Sequence, residues 1–261
     1  MSLPALFVSH GAPNMILYKS AAREFLSEYG AELGKPKAIV SVSAHFLTRE
    51  PAIVVDEKPA MIYDFGGFER ELYSIVYPAP GAPELAPRVT DLLTAAGIPV
   101  HGVEHRGYDH GTWVPLKLLY PEADVPVLQL SVQPKADPAH HYRIGQALAP
   151  LRDEGVLVIG SGSFTHNLGE VFSGGGMAAP DAPAKPWMND FRDWMDEKIV
   201  AGDTEALLAY RSKAPNAVRN HPTDEHLLPL YVAMGAGGLP AARVHYSHQY
   251  GALALDAYRF G

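Results

Sequence analysis

Three short apolar segments of the chain are each followed closely by a histidine, and this pattern limits the folds open to it. The segments and their histidines are residues 5–8 with His10, residues 38–42 with His45, and residues 156–159 with His166. Short apolar runs bounded by turn residues are typical of buried strands. In open α/β sheets, ligands bind beyond the carboxyl ends of the strands. Histidines collected at that edge are candidate metal ligands or acid–base groups.

The rest of the chain alternates between strand-like and helix-like segments. Helical spacing of apolar residues predicts helices over 20–33, 69–76, 83–96, 114–119, 139–151, 187–200, 204–210 and 221–236, the last opening with a turn. Further strands are predicted at 53–55, 99–103 and 125–132, with one or two more in 244–260. This alternation predicts an α/β fold: a single domain over residues 1–261, with a central, mostly parallel sheet flanked by helices.

Composition narrows the chemistry and the partners. The 261 residues include no cysteine, which excludes disulfides, thiolate nucleophiles and cysteine metal ligands. The net charge of -8 argues against nucleic acid and anionic membrane surfaces as partners. No apolar run approaches the roughly 20 residues of a membrane span. The N-terminus lacks the basic segment of a signal peptide, so a cytoplasmic location is expected.

The segment 160–166, Gly-Ser-Gly-Ser-Phe-Thr-His, invites two other interpretations that its spacing does not support. A nucleophile elbow requires Gly-x-Ser-x-Gly between a strand and a helix. A phosphate-binding loop requires a following Lys-Ser/Thr, or Gly-x-Gly-x-x-Gly. His166 itself could be a structural loop residue or a functional one.

The other candidate histidines also have structural alternatives. His110 lies in a predicted turn beside Asp109, where its ring could simply bond a backbone carbonyl. His221 and His226 are five residues apart, which is not the four-residue spacing that puts two ligands on one helix face. Thr223 is a plausible helix N-cap, which would place His226 in the first turn and only one of the two histidines in the cleft.

Taken together, the motifs resemble those of the class III extradiol ring-cleaving dioxygenases, in the DOPA 4,5-dioxygenase-like branch. The matching stretches, in order along nearly the whole chain, are residues 9–13 (SHGAP), 43–46 (SAHF), 63–68 (YDFGGF), 72–73 with 77–81 (LY, YPAPG), 109–113 (DHGTW), 160–168 (GSGSFTHNL) and 221–230 (HPTDEHLLPL). Each is weak alone, and the ordered set is specific.

The resemblance implies one divalent metal ion at the carboxyl ends of the strands, Fe(II) for ring cleavage or Zn(II) as isolated. Its ligands would be His10, His45 and His226, with His166 as a further ligand or as the acid–base residue. Relatives outside this branch use two histidines and a glutamate, which keeps Glu225 as a second candidate for the third position.

The resemblance also implies a small aromatic substrate and dioxygen. A catechol that loses a proton chelates a metal more strongly, so a neutral histidine is a suitable base. His166 is assigned as this base and His110 as the donor on the oxygen side. The residues expected to contact the aromatic ring are Tyr63, Phe65, Phe68, Trp113 and His248.

Two other functions remain open from the sequence, and a homo-oligomer is also compatible with it. One is a zinc hydrolase in which metal-bound water attacks and His166 or Glu225 acts as base. The other is a non-catalytic relative that binds a small ligand, because a fold does not guarantee a function. The loop 174–186 is expected to border the active-site mouth and to be more mobile than the sheet.

Overall fold

The computed structural model describes residues 2–261 and is built around a twisted eight-stranded sheet. The strands are β1 (Ala5–Ser9), β2 (Ala38–Leu47), β3 (Ala52–Val54), β4 (His101–Val103), β5 (Val127–Val132), β6 (Val156–Gly162), β7 (Ala241–His245), β8 (His248–Gln249), β9 (Leu253–Ala254) and β10 (Ala257–Phe260). The sheet order is β4-β3-β5-β2-β6-β1-β10-β7, and β8 pairs with β9 separately.

The centre of the sheet is parallel and its margins are mixed. Strands β5, β2, β6 and β1 run parallel to one another, whereas β10 pairs antiparallel with β1 and β7, and β3 pairs antiparallel with β5. The predicted α/β class with a mostly parallel sheet is confirmed. The tail contains four strands where one or two were predicted, and the last of them, β10, pairs both with the nearby β7 and with the distant β1.

Helices surround this sheet. They are α1 (Ala21–Leu33), α2 (Ala86–Ala95), α3 (His110–Leu119), α4 (Pro138–Leu148), α5 (Leu168–Val171), α6 (Pro186–Ala201), α7 (Thr204–Leu208), α8 (Tyr210–Lys213), α9 (Ala217–Asn220) and α10 (Leu228–Gly237). Short 3₁₀ helices occur at Pro13–Ile16, Arg70–Ser74, Pro83–Leu85 and Ala149–Arg152. No helix within residues 2–261 is both long and apolar enough to cross a membrane.

The last long helix begins later than predicted. Thr223 does not cap it: its hydroxyl donates to the Glu225 carboxylate at 3.0 Å. The Asp224 carbonyl instead accepts the amides of Leu227 and Leu228, closing a turn ahead of α10. His226 therefore lies in this turn and not in the first turn of the helix.

The side chains of β6 alternate between the two faces of the sheet, and each face packs against a different helix. Successive side chains of a strand point to opposite faces. A Cβ on Gly160 would lie 2.1 Å from the Pro229 carbonyl oxygen, and one on Gly162 would lie 2.0 Å from that of His226, so this face admits the backbone of α10 and of the turn before it. Ser161 points to the other face, where its hydroxyl donates to the Gly111 carbonyl of α3. The Gly-Ser-Gly pattern is thus a packing feature: the glycines permit close approach on one face of β6, and Ser161 bonds to α3 on the other.

Candidate metal centre and active site

A cavity of about 500 Å³ opens beyond the carboxyl ends of the parallel strands. This volume and position are typical of small-molecule sites. Five histidines contribute to its wall: His10, His45, His110, His166 and His226. The sequence predicted that these five would meet, and the structure brings them together.

His10 follows β1 directly and is buried, with 2% of its surface exposed. Its backbone amide donates to the Gly162 carbonyl at 2.9 Å, which extends the β1–β6 pairing by one residue. Its ring Nδ1 lies 3.0 Å from the Ser161 hydroxyl oxygen. Because that hydroxyl already donates to Gly111, it accepts from His10, and the Nε2 lone pair is left facing the cavity.

His45 lies inside β2 and not at its end, because the strand continues to Leu47. The pairing of β2 with β5 is regular up to Val42↔Leu130 and resumes at Leu47↔Val132, so β2 advances five residues while β5 advances two. Irregularities of this kind redirect side chains and are common beside active sites. Here the irregular stretch directs the His45 ring toward the cavity.

His226 reaches the same point from the turn before α10. Its carbonyl accepts the Ser163 amide at 2.9 Å, which fixes the turn to the end of β6. Its Nδ1 lies 3.2 Å from the Glu225 carboxylate, so Nδ1 is the protonated nitrogen and Nε2 is free.

The three Nε2 atoms converge on one point. The distance is 3.2 Å between His45 and His10 and 3.3 Å between His226 and His45. Two nitrogens bound at roughly 2.0–2.1 Å to one tetrahedral metal would lie about 3.3–3.4 Å apart. The spacing of this trio therefore suits a metal ion. Two further groups could also hold one: His45 with Asp64 and His110, and His166 with Glu225 and His226.

The electrostatics of the trio also suit ligands. Burial, reinforced by the neighbouring histidines, holds the pKa of His10 and of His226 well below the usual value. Burial and the nearby His110 lower the pKa of His45 to about 3, despite the opposing effect of Asp64. The three rings are neutral at neutral pH, and a neutral imidazole is the form that binds metal.

His110 is the first residue of α3 and not part of an isolated turn. Asp109 is the N-cap and accepts the Thr112 amide at 3.0 Å and the Ser43 hydroxyl at 2.6 Å. A Cβ on Gly111 would lie 2.4 Å from the Ser43 hydroxyl oxygen and 3.0 Å from the His45 ring, so glycine permits this close approach. The ring centroids of His110 and His45 are 3.9 Å apart.

His166 stacks on His226, with ring centroids 3.5 Å apart and planes 8° from parallel. Its backbone amide donates to the Asn220 carbonyl at 3.0 Å. Within residues 2–261 its ring nitrogens make no hydrogen bond, so they are free to meet a ligand. Burial lowers the pKa of His166 to about 4, and the ring is neutral at neutral pH.

The remaining histidines lie outside the centre. His221 is fully buried, and its Nε2 lies 3.0 Å from the Phe164 carbonyl, to which it donates. His248 belongs to β8 and was predicted to contact substrate, but it is not part of the cavity wall. His248 pairs with Ala254 in the small β8–β9 sheet. Tyr250, two residues later, lines the cavity instead.

Only part of the predicted aromatic wall faces the cavity. Phe65 and Phe68 line it, and their rings meet edge to face. Trp113 is fully buried next to Phe65, with 6.3 Å between the ring centroids, and the Tyr63 ring centroid is 6.4 Å from that of Trp113. Neither Trp113 nor Tyr63 lines the cavity, because α3 buries Trp113 in the core and the Tyr63 hydroxyl donates to the Ile75 carbonyl, so their contact with a substrate stays a prediction.

The predicted mouth loop does contribute to the cavity. Met177 of the segment 174–186 lines the wall together with Phe172 just before it. The expected mobility of this loop stays a prediction.

Sequence reasoning missed the polar residues that support the histidines. Asp64 lies in the aromatic segment 63–68, where nothing in the chain order marked its contact with His110 at 2.9 Å. Burial raises its pKa, but hydrogen bonds from His110 outweigh that effect and leave the pKa at about 2. Ser161 was seen only as part of a glycine–serine loop.

Comparisons with known proteins agree with this geometry. Residues 5–260 match the family described as "Catalytic LigB subunit of aromatic ring-opening dioxygenase". The chain is 46% identical over 260 residues to a 4,5-DOPA dioxygenase extradiol of Beta vulgaris, covering 97% of this chain and 95% of that one. It is 40% identical over 238 residues to the protein of the same name from Escherichia coli (strain K12), covering 90% and 85% of the two chains.

A solved structure shares the fold. The crystal structure of an uncharacterized protein from Escherichia coli K12 superposes with a TM-score of 0.82 at 33% identity, covering 99% of this chain and 100% of that one. The predicted family is confirmed, and with it the enzyme class. The chain belongs to the LigB family of aromatic ring-opening dioxygenases.

Proposed function

We propose that residues 1–261 form one catalytic domain that opens the ring of a catechol-type aromatic, DOPA-like or related, with dioxygen and one divalent metal ion. The observation that carries the proposal is the convergence of three neutral histidine Nε2 atoms, 3.2 and 3.3 Å apart, at the floor of a small-molecule cavity. The names of the curated relatives, 4,5-DOPA dioxygenase extradiol, support a DOPA-like substrate.

We infer that His10, His45 and His226 hold the metal. Each has an acceptor near its Nδ1, namely Ser161, Asp64 and Glu225 in turn, as is usual for metal-bound histidines. Glu225 then orients His226 and is not itself the third ligand. When bound, Fe(II) supplies a centre at which a chelating catechol and dioxygen can meet, and Zn(II) fits the same nitrogens.

His166 is the proposed proton acceptor. It is neutral, its ring nitrogens are free of protein partners within the described chain, and its stacking on His226 holds it beside the centre. A catechol seated at the centre would present a hydroxyl to this ring. His110, whose ring lies against that of His45, is the proposed donor to the oxygen side.

Phe65 and Phe68 are proposed to enclose the aromatic ring. Their edge-to-face arrangement forms part of a wall that also includes Leu168, Val171 and Leu253. Aromatic rings favour such apolar surroundings.

The direct test is oxygen uptake by protein reconstituted anaerobically with Fe(II), using a panel of catechols. We expect uptake that depends on the catechol and the formation of a yellow semialdehyde. Protein loaded with Zn(II) serves as the control and should not consume oxygen. Absence of uptake with every catechol, at full iron loading, would contradict the proposal.

The acid–base roles predict separable effects of two variants. A positioned proton-transfer group is worth about 10² to 10⁴ in rate, so His166→Ala and His110→Ala should each lose turnover in that range. His110→Ala should keep its metal, as measured by metal analysis after gel filtration. Near-unchanged turnover removes either residue from the mechanism, and metal loss in His110→Ala would make His110 a ligand.

A further inference from the structure

Asp64 is the one charged residue in the aromatic segment 63–68. The two residues before it are held in place: the Ile62 amide donates to the Tyr108 carbonyl at 2.8 Å, and the Tyr63 hydroxyl donates to the Ile75 carbonyl at 2.9 Å. Its side chain is 23% exposed and forms part of the cavity wall. The segment therefore presents a fixed carboxylate to the histidine cluster.

One oxygen of this carboxylate serves His110 twice. Oδ1 accepts the backbone amide of His110 at 3.0 Å and lies 2.9 Å from the ring Nδ1. An ionised carboxylate can only accept hydrogen bonds, so Nδ1 carries the hydrogen. Asp64 thus binds both the backbone amide and the ring of His110, which fixes the tautomer and the orientation of the ring.

The other oxygen faces a second histidine. Oδ2 lies 3.5 Å from Nδ1 of His45, within ion-pair reach but longer than a hydrogen bond. The His45 and His110 rings also touch, with centroids 3.9 Å apart. One carboxylate thus lies behind both rings, on the side away from their Nε2 atoms.

We propose that Asp64 is a positioning residue shared by two histidines, holding His110 and His45 in their Nδ1–H forms so that both Nε2 atoms face the cavity. The kinetic consequence of this role rests on the proposed function, whereas the tautomer of His110 does not. The alternative is that Asp64 binds the metal directly with His45 and His110, a group that could hold an ion. Two donors already occupy its Oδ1, which favours the positioning role.

The first measurement compares Asp64→Asn with Asp137→Asn as a matched control. Asp137 also accepts a helix amide, that of His140 at 2.8 Å, but it is the N-cap of α4 and lies outside the cavity wall. Loss of a carboxylate behind a metal-site histidine typically costs about 10- to 100-fold. We expect Asp64→Asn to lose that much kcat while KM for the catechol changes little, because the apolar wall is intact. Asp137→Asn should keep both.

The second measurement does not depend on activity. Nitrogen-15 spectra of the zinc-loaded, histidine-labelled protein should show an Nδ1–H signal that disappears in His110→Gln and so belongs to His110. We expect Asp64→Asn to lose or shift this signal and Asp137→Asn to retain it. Thermal unfolding checks that each variant is folded, and Asp64→Glu, which keeps the carboxylate, should retain the signal if Asp64→Asn does not fold.

The outcomes are distinct. An unchanged His110 signal with unchanged kcat in Asp64→Asn overturns the proposal, as does loss of the signal in Asp64→Glu. A loss of zinc affinity well beyond about 100-fold in folded Asp64→Asn also overturns it, in favour of a ligand role. If no variant and not even the wild type opens catechols, the proposed function fails while the spectra still decide the role of Asp64.

Discussion

At the scale of single residues, the centre depends on histidines that are kept neutral and correctly turned. A histidine has two ring nitrogens, and the partner of one determines what the other can do. Ser161 and Glu225 engage Nδ1 of His10 and His226, which leaves Nε2 of each as a lone-pair donor. Burial disfavours the charged ring, so Nε2 does not carry a proton that would compete with a metal ion.

His10→Ala should abolish metal retention, since it removes one of three converging nitrogens and His10 is the most deeply buried of them. The measurement is metal content after dialysis against a weak chelator. His101→Ala is the control, because His101 is exposed on β4 and should leave one equivalent bound. If His10→Ala also keeps one equivalent, the ligand assignment is wrong.

At the scale of secondary-structure elements, backbone approach determines where the histidines lie. The end of β6 carries glycine on the face toward α10, and the His226 carbonyl occupies the space that a side chain would need. The same device recurs at Gly111, where α3 approaches Ser43 of β2. Small residues at these contacts therefore serve the site as well as the packing.

Gly162→Ala should displace His226, because the added Cβ would lie 2.0 Å from its carbonyl oxygen. Overpacking of this kind typically costs about 1–3 kcal/mol, and metal affinity should fall with it. The measurements are chemical unfolding and chelator competition. Gly174→Ala is the matched control, since a Cβ there meets nothing within 4 Å. Equal behaviour of the two variants would contradict the role given to Gly162.

A second prediction concerns α4, which is tied to the end of β5 by a neutral histidine. His141 is fully buried; its Nδ1 lies 3.0 Å from the Asp137 carbonyl, to which it donates, and its Nε2 accepts the Gln133 amide at 3.2 Å. Burial lowers the pKa of His141 to about 4, below the usual 6.5. The unfolded chain therefore takes up this proton first as the pH falls.

The contribution of neutral His141 to the free energy of unfolding is fully present above about pH 7. It should be lost as the pH drops from 6.5 toward 4, by on the order of 3 kcal/mol. Urea unfolding of metal-free protein at several pH values measures it. His141→Gln should be less stable at pH 7 and less sensitive to acid, whereas His101→Gln should follow the wild type. An unchanged acid dependence in His141→Gln would disprove the prediction.

At the scale of the whole molecule, the net charge and the cavity lining both disfavour an anionic substrate. The chain carries a net charge of -8. Among residues 2–261, no lysine or arginine lines the cavity, and its outer wall is formed by apolar side chains such as Phe172 and Met177. Nearby Lys185 and Arg219 are both paired with Glu170. An anionic substituent that lacks its own ammonium group, unlike the zwitterionic side chain of DOPA, would meet no free cation here.

We therefore expect 4-propylcatechol to be opened with a kcat/KM roughly tenfold or more above that of 3-(3,4-dihydroxyphenyl)propanoate, because burying an unpaired charge is costly. The matching amide, which is polar but uncharged, should lie between them. High salt should reduce the difference in kcat/KM between the two catechols only by the part that comes from long-range repulsion of the anion by the negatively charged protein. A preference for the carboxylate would show that a cation reaches the substrate.

The sequence by itself determined the class of fold and most of the histidine cluster. Apolar runs ending in His10 and His166, and helical spacing between them, follow from local periodicity and need no tertiary information. Motif order identified the family for the same reason, since each motif is a short local pattern. His110 was recognised through its motif, although its place at the start of α3 was not.

The tertiary structure alone decided which way each histidine faces and what holds it there. The irregular pairing around His45, the turn that carries His226, and the burial of Trp113 next to Phe65 all arise from contacts between segments far apart in the chain. Asp64 and His110 are 46 residues apart, and their hydrogen bond exists only because β3, β4 and α3 bring the two segments together. Such non-local contacts leave no periodic trace in the sequence, so only the folded chain reveals them.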